Sequence, residues 1–472
     1  MTTLCWFRND LRIDDQPALR AATDHSQTIA LYIASPQQWH AHGDAPVKVD
    51  FWLRSLHALR NDLAQMNIPL MWLVVDRWSD VPQALLDFCL LHKIDHVHCN
   101  REHALNERKR DRACYQLLKA HSIAMTGHHG TTLFVPGSVK TGSDQYYRVF
   151  TPFSKTCKER LRIAPYQLSE TPIAQNAAGL PASDPLPENM PGWPAPDSRL
   201  RDYWPATTDH AHALLSDFVD RRIFDYQQAR DFPAIDGTST LSPYLAAGLL
   251  SAGQCLNAAM RANQGEIATG HQGVVTWINE ILWREFYQHL LYGFPTLSMH
   301  QPMRPETNGV AWRVAPDDFK AWCEARTGVP IVDAAMRQLV STGWMHNRLR
   351  MVVAMYLTKN LLIDWRLGEA FFMRHLVDGE IGANNGGWQW SASTGADAAP
   401  YFRVFNPISQ SEKFDPDGLF IRKWLPELAT LSNREIHDPS DMDRERLHYP
   451  PQIVDLKSSR LRAIAAFSDL KN

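Results

Sequence analysis

The sequence predicts an α/β N-terminal domain on a doubly wound parallel sheet, followed by an all-α C-terminal domain. Three observations carry this: short apolar runs alternate with amphipathic stretches over residues 1–130, a proline-rich stretch follows between about Pro165 and Pro205, and long helical periodicities come after it. In the first segment LCWF (4–7), TIALYIA (28–34), LMWLVV (70–75) and HVHCN (96–100) read as buried strands. Between them VDFWLRSLHALRNDLAQM and DVPQALLDFCLLHK place apolar residues at helical spacing. The segment has neither GxGxxG nor GxxxxGK[ST], so the usual dinucleotide-binding reading of such a sheet lacks its phosphate loop. Residues 131–205 read as a connection, proline-rich in its second half and without sustained periodicity. From 206 to 472, DHAHALLSDFVDRRIFDY, TWINEILWREFYQHLL, IVDAAMRQLVSTGWMHNRLRMVVAMYLTKNLL and EAFFMRHLVDGEI are amphipathic helical patterns.

Composition bounds the function. A chain of 472 residues with 44% hydrophobic content can bury two cores. It contains no run of eighteen apolar residues, and MTTLCWFRNDLR begins as a strand rather than a signal segment, which predicts a cytoplasmic protein without a membrane partner. The seven cysteines form no CxxC pair, so neither a disulfide framework nor a metal site is expected. A net charge of -3 excludes indiscriminate coating of nucleic acid, because such binding needs strong positive charge to displace counterions; any DNA contact must come from a local patch. Tryptophan is abundant: of 16, eight lie between Trp277 and Trp390, more than packing alone requires of a side chain whose N–H needs a partner.

Four constellations stand out. Thr238, Ser239, Thr240, Leu241 and Ser242 precede PYLAAGLL, so several hydroxyls and a helix start with Pro243 in its first turn can hold phosphate oxygens; the bland alternative is ordinary capping. In GWMHNRLRM, a helix puts Trp344, Asn347, Arg348 and Met351 on neighbouring stripes with Arg350 elsewhere, against the alternative of a solvated amphipathic face. In VDGEIGANNGGWQW, Asn384, Asn385, Gly386 and Gly387 are expected to end a helix and let backbone approach a flat ligand, with Trp388 and Trp390 facing opposite ways if extended. In WINEILWREFYQHL, Trp277, Glu280, Trp283 and Arg284 share a helix face with Tyr287 beside them, an aromatic wall carrying one carboxylate, or else a core stripe with Glu280 at its margin.

These residues resemble the photolyase and cryptochrome family, most closely the bacterial class I cyclobutane pyrimidine dimer photolyases. WFRNDLR, TSTLS, WINEILWREFYQHL, TGVPIVDAAMRQ, TGWMHNRLRM, NNGGWQW and FNP occur in the family's order. The resemblance implies light-driven repair of DNA by electron transfer from photoexcited reduced FAD to a flipped-out dimer. It implies that Tyr226, Thr238, Ser239, Thr240, Leu241 and Ser242 hold the phosphates and ribitol of FAD, with Trp277, Asn347, Arg350, Asp378, Gly379 and Glu380 about the flavin and adenine. Asn384 matches the position facing flavin N5, where an amide can hydrogen-bond either protonation state. Trp388, Trp365 and Trp312 match the family's electron relay.

By the same resemblance Glu280, Trp283, Asn347, Met351 and Trp390 line the lesion cavity, Arg284 and Tyr287 join them among the DNA-binding residues, and Glu280 hydrogen-bonds the pyrimidine edge. Flipping the dimer costs a few kcal/mol and aromatic stacking returns roughly 1–3 per base, so net affinity falls to phosphate contacts by Arg230, Arg348, Arg403 and Gln410. Lys413 is added for its proximity. His42, Asn106 and Glu107 match an antenna site for 5,10-methenyltetrahydrofolate, although Ser298 and Met299 replace an expected Cys and Lys at the polyglutamate contact. The partner implied is UV-damaged DNA, bound by a monomer. A (6-4) photolyase would carry a histidine pair where Asn347 and Met351 stand, and a cryptochrome would carry a different residue at 384.

Overall fold

The computed structural model describes residues 2–470 apart from 25 and 469. Five strands, β1 (Thr2–Phe7), β2 (Gln27–Ala34), β3 (Leu70–Val74), β4 (Ile94–Asn100) and β5 (Ala124–His128), form one parallel sheet in the order β3-β2-β1-β4-β5. The strands are joined by α1 (Pro17–Thr23), α2 (Pro36–His42), α3 (Pro46–Gln65), α4 (Val81–Leu91) and α5 (Leu105–Ala120). The order reverses direction between β1 and β4, the doubly wound pattern that the apolar runs predict. Leu4, Trp6, Leu31, Val97 and Cys99 from the strands bury against Leu85, Cys89, Cys114 and Leu118 of α4 and α5. β5 is absent from the strands that the sequence predicts. Its sequence, AMTGH, is short, polar at the sheet's edge and lacks the apolar run that marks a covered strand.

Beyond the sheet the structure is helical: α6 (Phe150–Ile163), α7 (Arg199–Tyr203), α8 (Thr208–Arg221), α9 (Tyr226–Ala229), α10 (Ser242–Ala247), α11 (Ala252–Ala262) and α12 (Gln272–Gly293) come first. They are followed by α13 (Pro316–Cys323), α14 (Pro330–Thr342), α15 (Asn347–Met355), α16 (Trp365–Met373), α17 (Ile381–Ala392) and α18 (Pro407–Phe414). α6 falls inside 131–205, which the sequence presents as connection. Phe150, Phe153, Cys157 and Leu161 do recur at helical spacing there, but they share the segment with many polar residues and the pattern is a single short stripe.

The chain folds into two compact units, Met1–Phe224, Ser239–Ser298 and Val377–Gly382 in one, and Asp225–Thr238, Met299–Leu376 and Ala383–Asn472 in the other. This division does not follow the sequence boundaries at 130 and 205. Within the first unit, polar contacts bind the sheet's loops to helical segments far along the chain: Leu11 N–H donates to Ala247 O at 3.2 Å, Arg12 to Gly248 O at 3.0 Å, and Ser251 Oγ to Asp15 at 2.5 Å. The second unit has its own core, in which Trp322, Trp365, Trp388, Phe372, Leu349 and Val353 are buried together. Among the described residues no helix is long and apolar enough to cross a membrane, and no group of three or more metal-ligating side chains is placed to hold a metal ion.

Candidate cofactor and substrate site

In the first unit the site is built on α12. Its 22 residues place Trp277 on the buried side, 4% exposed and 5.1 Å from the Phe218 ring, while Glu280, Trp283, Arg284 and Tyr287 remain partly open. Trp283 lies flat on Phe150 of α6, with ring centroids 3.9 Å apart and 8° between planes, and is 5.6 Å from Tyr287. Of the aromatic wall expected from spacing, Trp283 and Tyr287 stand together, backed by Phe150, which spacing could not supply, while Trp277 turns to Phe218. Arg284 is engaged within it. It donates to Thr131 O at 2.9 Å and pairs with Glu380 at 3.3 Å, and Glu380 also accepts from Gln288. With two of its five N–H donors, Arg284 thus supports Glu380 and the Thr131 carbonyl, while Nε has no partner among the described residues.

The loop 377–382 lies in the same unit. Asp378 is 8% exposed, and the carbonyl of Gly379 accepts from Lys48, which also pairs with Asp44 at 2.6 Å. Upstream, Ser239 to Ser242 lead into α10, whose first turn contains Pro243 as its spacing predicts. Thr240 adopts φ 51°, a left-handed conformation disfavoured for a β-branched side chain; such strain costs of order 1–3 kcal/mol and clusters at ligand clamps.

In the second unit the stretch 384–390 departs from expectation. Asn384, Asn385, Gly386 and Gly387 do not end a helix; they lie inside α17. Two glycines each disfavour a helix by about 1 kcal/mol, which is why the sequence reads as a break. Tertiary bonds override that preference. Asn385 donates to Glu369 Oε1 at 2.8 Å and Asn384 to the carbonyl of Glu369 at 3.0 Å, while within α17 Gln389 donates to Asn385 Oδ1 at 2.8 Å. Trp388 and Trp390 still face apart, now because two helical residues differ by about 200°. Trp388 is 2% exposed in the core, whereas Ala383, Gly387 and Trp390, spaced four and three apart, face outward. A Cβ built on Gly387 would meet nothing within 4 Å, so this side of α17 is a bare backbone surface.

Glu369 on α16 is the residue that sequence reasoning missed. It is 1% exposed and orients both asparagines while accepting from His300 Nδ1 at 2.9 Å. No local signal marks it, since its partners lie fifteen and more residues away. The hydrogen bond to Glu369 raises the His300 pKa, with burial opposing. Because the folded value lies above the unfolded one, the pair's stabilisation is complete below the ordinary imidazole pKa of about 6.5 and is lost as pH rises through the raised value. His300 is half exposed, so solvent screens the effect. The expected result is a urea midpoint that falls with pH above neutrality in the native chain and stays flatter in His300→Gln; parallel curves for the two would remove the assignment.

α15 begins at Asn347, capped by His346, whose Nδ1 accepts from Arg348 N at 3.2 Å. Trp344 therefore precedes the helix, a correction to the expectation that it shares neighbouring helical stripes with Asn347, Arg348 and Met351. His346 is 3% exposed and burial lowers its pKa to about 4, which makes it a neutral cap. Asn347 is exposed, and Met351 lies one turn on. Arg348 pairs with Asp231 at 2.7 Å and lies 4.5 Å over the Phe414 ring; Arg350 Nε donates to Met345 O at 2.8 Å. Arg230 stacks 5.3 Å over Tyr226, bringing two predicted residues together. Arg403 is exposed and Gln410 lies on α18, beside Lys413, which stacks on Phe414 at 5.0 Å.

Of the three tryptophans expected to relay electrons, Trp388 and Trp365 are buried, 2% and 1% exposed, and Trp312 is partly open, 5.9 Å from Phe467. The ring neighbours of Trp388 are Trp322 at 6.1 Å and Phe372 at 5.0 Å rather than Trp365. The link to α16 runs through Gly368, one turn after Trp365, where a Cβ would stand 2.1 Å from Trp388 Cη2. Trp312 is anchored by its neighbour, since Arg313 N–H donates to Leu362 O at 2.7 Å, three residues before Trp365.

At the predicted antenna site, His42 and Asn106 meet at 3.1 Å, and His42 lies edge-on to Trp78 at 4.9 Å. Burial, reinforced by Glu102, raises the pKa of Glu107. Ser298 Oγ accepts from Leu105 N at 3.2 Å, so the substituted residue caps the helix carrying Asn106 and Glu107.

The family described as DNA photolyase matches residues 3–174, and that described as FAD binding domain of DNA photolyase matches 277–469. The chain is 44% identical to the deoxyribodipyrimidine photo-lyase of Salmonella typhimurium, over 99% of this chain and 98% of that relative. Among solved structures it is similar to a bacterial class III photolyase from Agrobacterium tumefaciens, with TM-score 0.89 and 35% identity over 100% and 98% of the two chains. It is also similar to a Synechocystis cryptochrome, with TM-score 0.83 and 27% identity over 98% and 99%.

Proposed function

The chain belongs to the DNA photolyase family, and from that membership we propose how its residues divide the work of repairing cyclobutane pyrimidine dimers in light. The protein is a deoxyribodipyrimidine photo-lyase and FAD is its cofactor. When bound, FAD supplies the light-driven electron that opens the dimer. The donor set fits such a group: hydroxyls at Thr238, Ser239, Thr240 and Ser242, together with Tyr226, suit a diphosphate and ribitol, and the bare face at Gly387 admits a flat ring system. Asn384 gives one of its two Nδ2 hydrogens to the Glu369 carbonyl and keeps Oδ1 as an acceptor suited to a protonated flavin N5. Arg350 and Asp378 offer opposite charges to the ring, and Trp277, Asn347 and Glu380 complete the set.

The observation that carries the repair reading is the α12 wall. Trp283, held flat by Phe150, presents an aromatic surface for an extruded base, with the Glu280 carboxyl one turn away to meet the pyrimidine edge. Met351 and Trp390 add apolar surface, while Arg230, Arg348, Arg403 and Gln410 serve the phosphates, with Arg348 steadied by Asp231. Asn347 and Met351 in place of a histidine pair, together with a neutral His346, disfavour the (6-4) photoproduct as substrate. His42, Asn106 and Glu107 suit a methenyltetrahydrofolate antenna, whose polyglutamate tail loses a cation at Met299. The same reading has the enzyme act as a monomer in the cytoplasm.

The test is repair of a thymine-dimer oligonucleotide by the chemically reduced protein in light and in darkness. Light-dependent restoration of thymine pairs is expected; equal results in both would end the proposal. Glu280→Ala is expected to retain FAD and lower repair yield about tenfold, the worth of one charge-assisted hydrogen bond. An undiminished yield would remove Glu280 from the pyrimidine edge.

A further inference from the structure

Lys359 is 0% exposed, yet it forms no ion pair among the described residues. It lies in the π-helical turn Tyr356–Asn360 between α15 and α16, where Leu361 N–H reaches back to Tyr356 O at 2.9 Å. Such a turn interrupts the regular ladder and recurs at functional sites. Burial, with Arg304 adding to it, lowers the Lys359 pKa to about 7, so the fold carries a penalty that an apolar side chain of similar length would avoid. Its contacts show what the lysine does there. Nζ donates to Ser393 Oγ at 2.8 Å and to Ala392 O at 3.2 Å, at the carbonyl end of α17, where a cation is favoured. Ala392 is one turn beyond Trp388. Nζ also lies 3.7 Å over the ring of Phe467, in the helix Leu456–Ser468, and that ring meets Trp312 edge-on at 5.9 Å. A few residues on, Leu361 O and Leu362 O accept from Arg313, at 2.9 and 2.7 Å, and Trp365 opens α16.

The segment 359–365 thus touches the carriers of all three tryptophans expected to relay electrons, all within the second unit. We propose that Lys359 is a positioning residue of that relay: it fixes the last turn of α17 behind Trp388 and, through Phe467, the ring of Trp312. This role rests on the relay reading, in which one electron passes inward at each step: Trp388 yields one to the flavin, Trp365 restores Trp388, Trp312 restores Trp365, and an external thiol restores Trp312. Two passages and one proton from solvent reduce the flavin fully, while two thiols join in a disulfide and release their protons. Lys359 itself gains and loses no electron. It sets the separations and ring orientations on which each transfer depends.

The experiment is the light-driven reduction of bound oxidised FAD, with a thiol as external donor, in the native protein, Lys359→Met, Ser393→Ala and the double variant. Lys359→Met removes the charge and its hydrogen bonds at nearly equal length. Because replacing a buried charge by an apolar group is often neutral or stabilising, this variant should melt at or above the native temperature with FAD bound. Photoreduction should nevertheless slow about tenfold, as a slight misplacement of reacting groups does. Ser393→Ala, which removes one acceptor, should slow it less, and the double variant no more than Lys359→Met alone, because the two act through one contact. Repair by protein reduced chemically beforehand should match the native protein. Native photoreduction in Lys359→Met overturns the role. So does slowing that comes with a lower melting temperature, loss of FAD or slower repair, which marks a general support of the fold. Multiplying effects in the double variant overturn the contact with α17. Native photoreduction in Trp365→Phe would instead overturn the relay reading itself.

Discussion

Trp312→Phe and Trp365→Phe are each expected to slow the light-driven reduction of bound oxidised FAD by roughly two orders of magnitude, about 2.7 kcal/mol on that step. Repair by protein reduced chemically beforehand should stay near the native rate, because a relay through these tryptophans would refill the cofactor without taking part in opening the dimer. The geometry makes the prediction specific. Trp388 touches α16 at Gly368, one turn from Trp365, and the segment holding Trp312 hydrogen-bonds to Leu362 at the approach to that helix. Trp388 and Trp365 are both buried, 2% and 1% exposed, and Trp312 is partly open, as a path from the interior to solvent requires. Trp322 supplies the internal control. It is fully buried, closer to Trp388 by ring contact at 6.1 Å, and tied by Nε1 to Val353 O at 3.3 Å. Trp322→Phe should lower stability and leave photoreduction within a few-fold. If Trp322→Phe abolishes photoreduction while Trp365→Phe does not, the path runs through Trp322 and the assignment of Trp365 is wrong.

Gly368→Ala is expected to be disproportionately damaging for the addition of one methyl group. Its Cβ would stand 2.1 and 2.4 Å from Trp388 Cη2 and Cζ3 and 2.7 Å from Leu357 Cδ2. The indole cannot yield cheaply, since Trp322 and Phe372 enclose it in the second unit's core. Overpacking of this kind costs about 1–3 kcal/mol. Relief by displacing Trp388 would also tilt α17, which carries Asn384 and the Gly387 face. The variant should therefore lose FAD at a lower temperature and photoreduce more slowly. A melting curve and a photoreduction rate matching the native protein would show that the Gly368–Trp388 contact is not constraining.

Local sequence was most informative where one periodicity met one environment. The covered strands β1, β2 and β4 and the wall of α12 were legible because burial repeats along the chain at the period of the element. It was least informative where side chains distant in sequence decide the local conformation. Asn384 to Gly387 carry the propensities of a helix end, and only Glu369 and the packing of Trp388 hold them in α17. α6 shows the complementary case: its apolar stripe is present, but its significance depends on Phe150 finding Trp283, more than a hundred residues later.

By itself the sequence determined the fold class, the ordered family motifs and the residue types that can hold a diphosphate, an isoalloxazine and a lesion, because these follow from composition, spacing and chemical capacity. Only the tertiary structure decided which of those groups are available. Arg284 supports Glu380, Arg348 is shared with Asp231, and Asn384 gives one N–H to the Glu369 carbonyl. A hydrogen-bonding group can serve an incoming ligand only with the donors and lone pairs its folded neighbours leave unused, and those neighbours are chosen by the packing of segments that the linear sequence does not bring together.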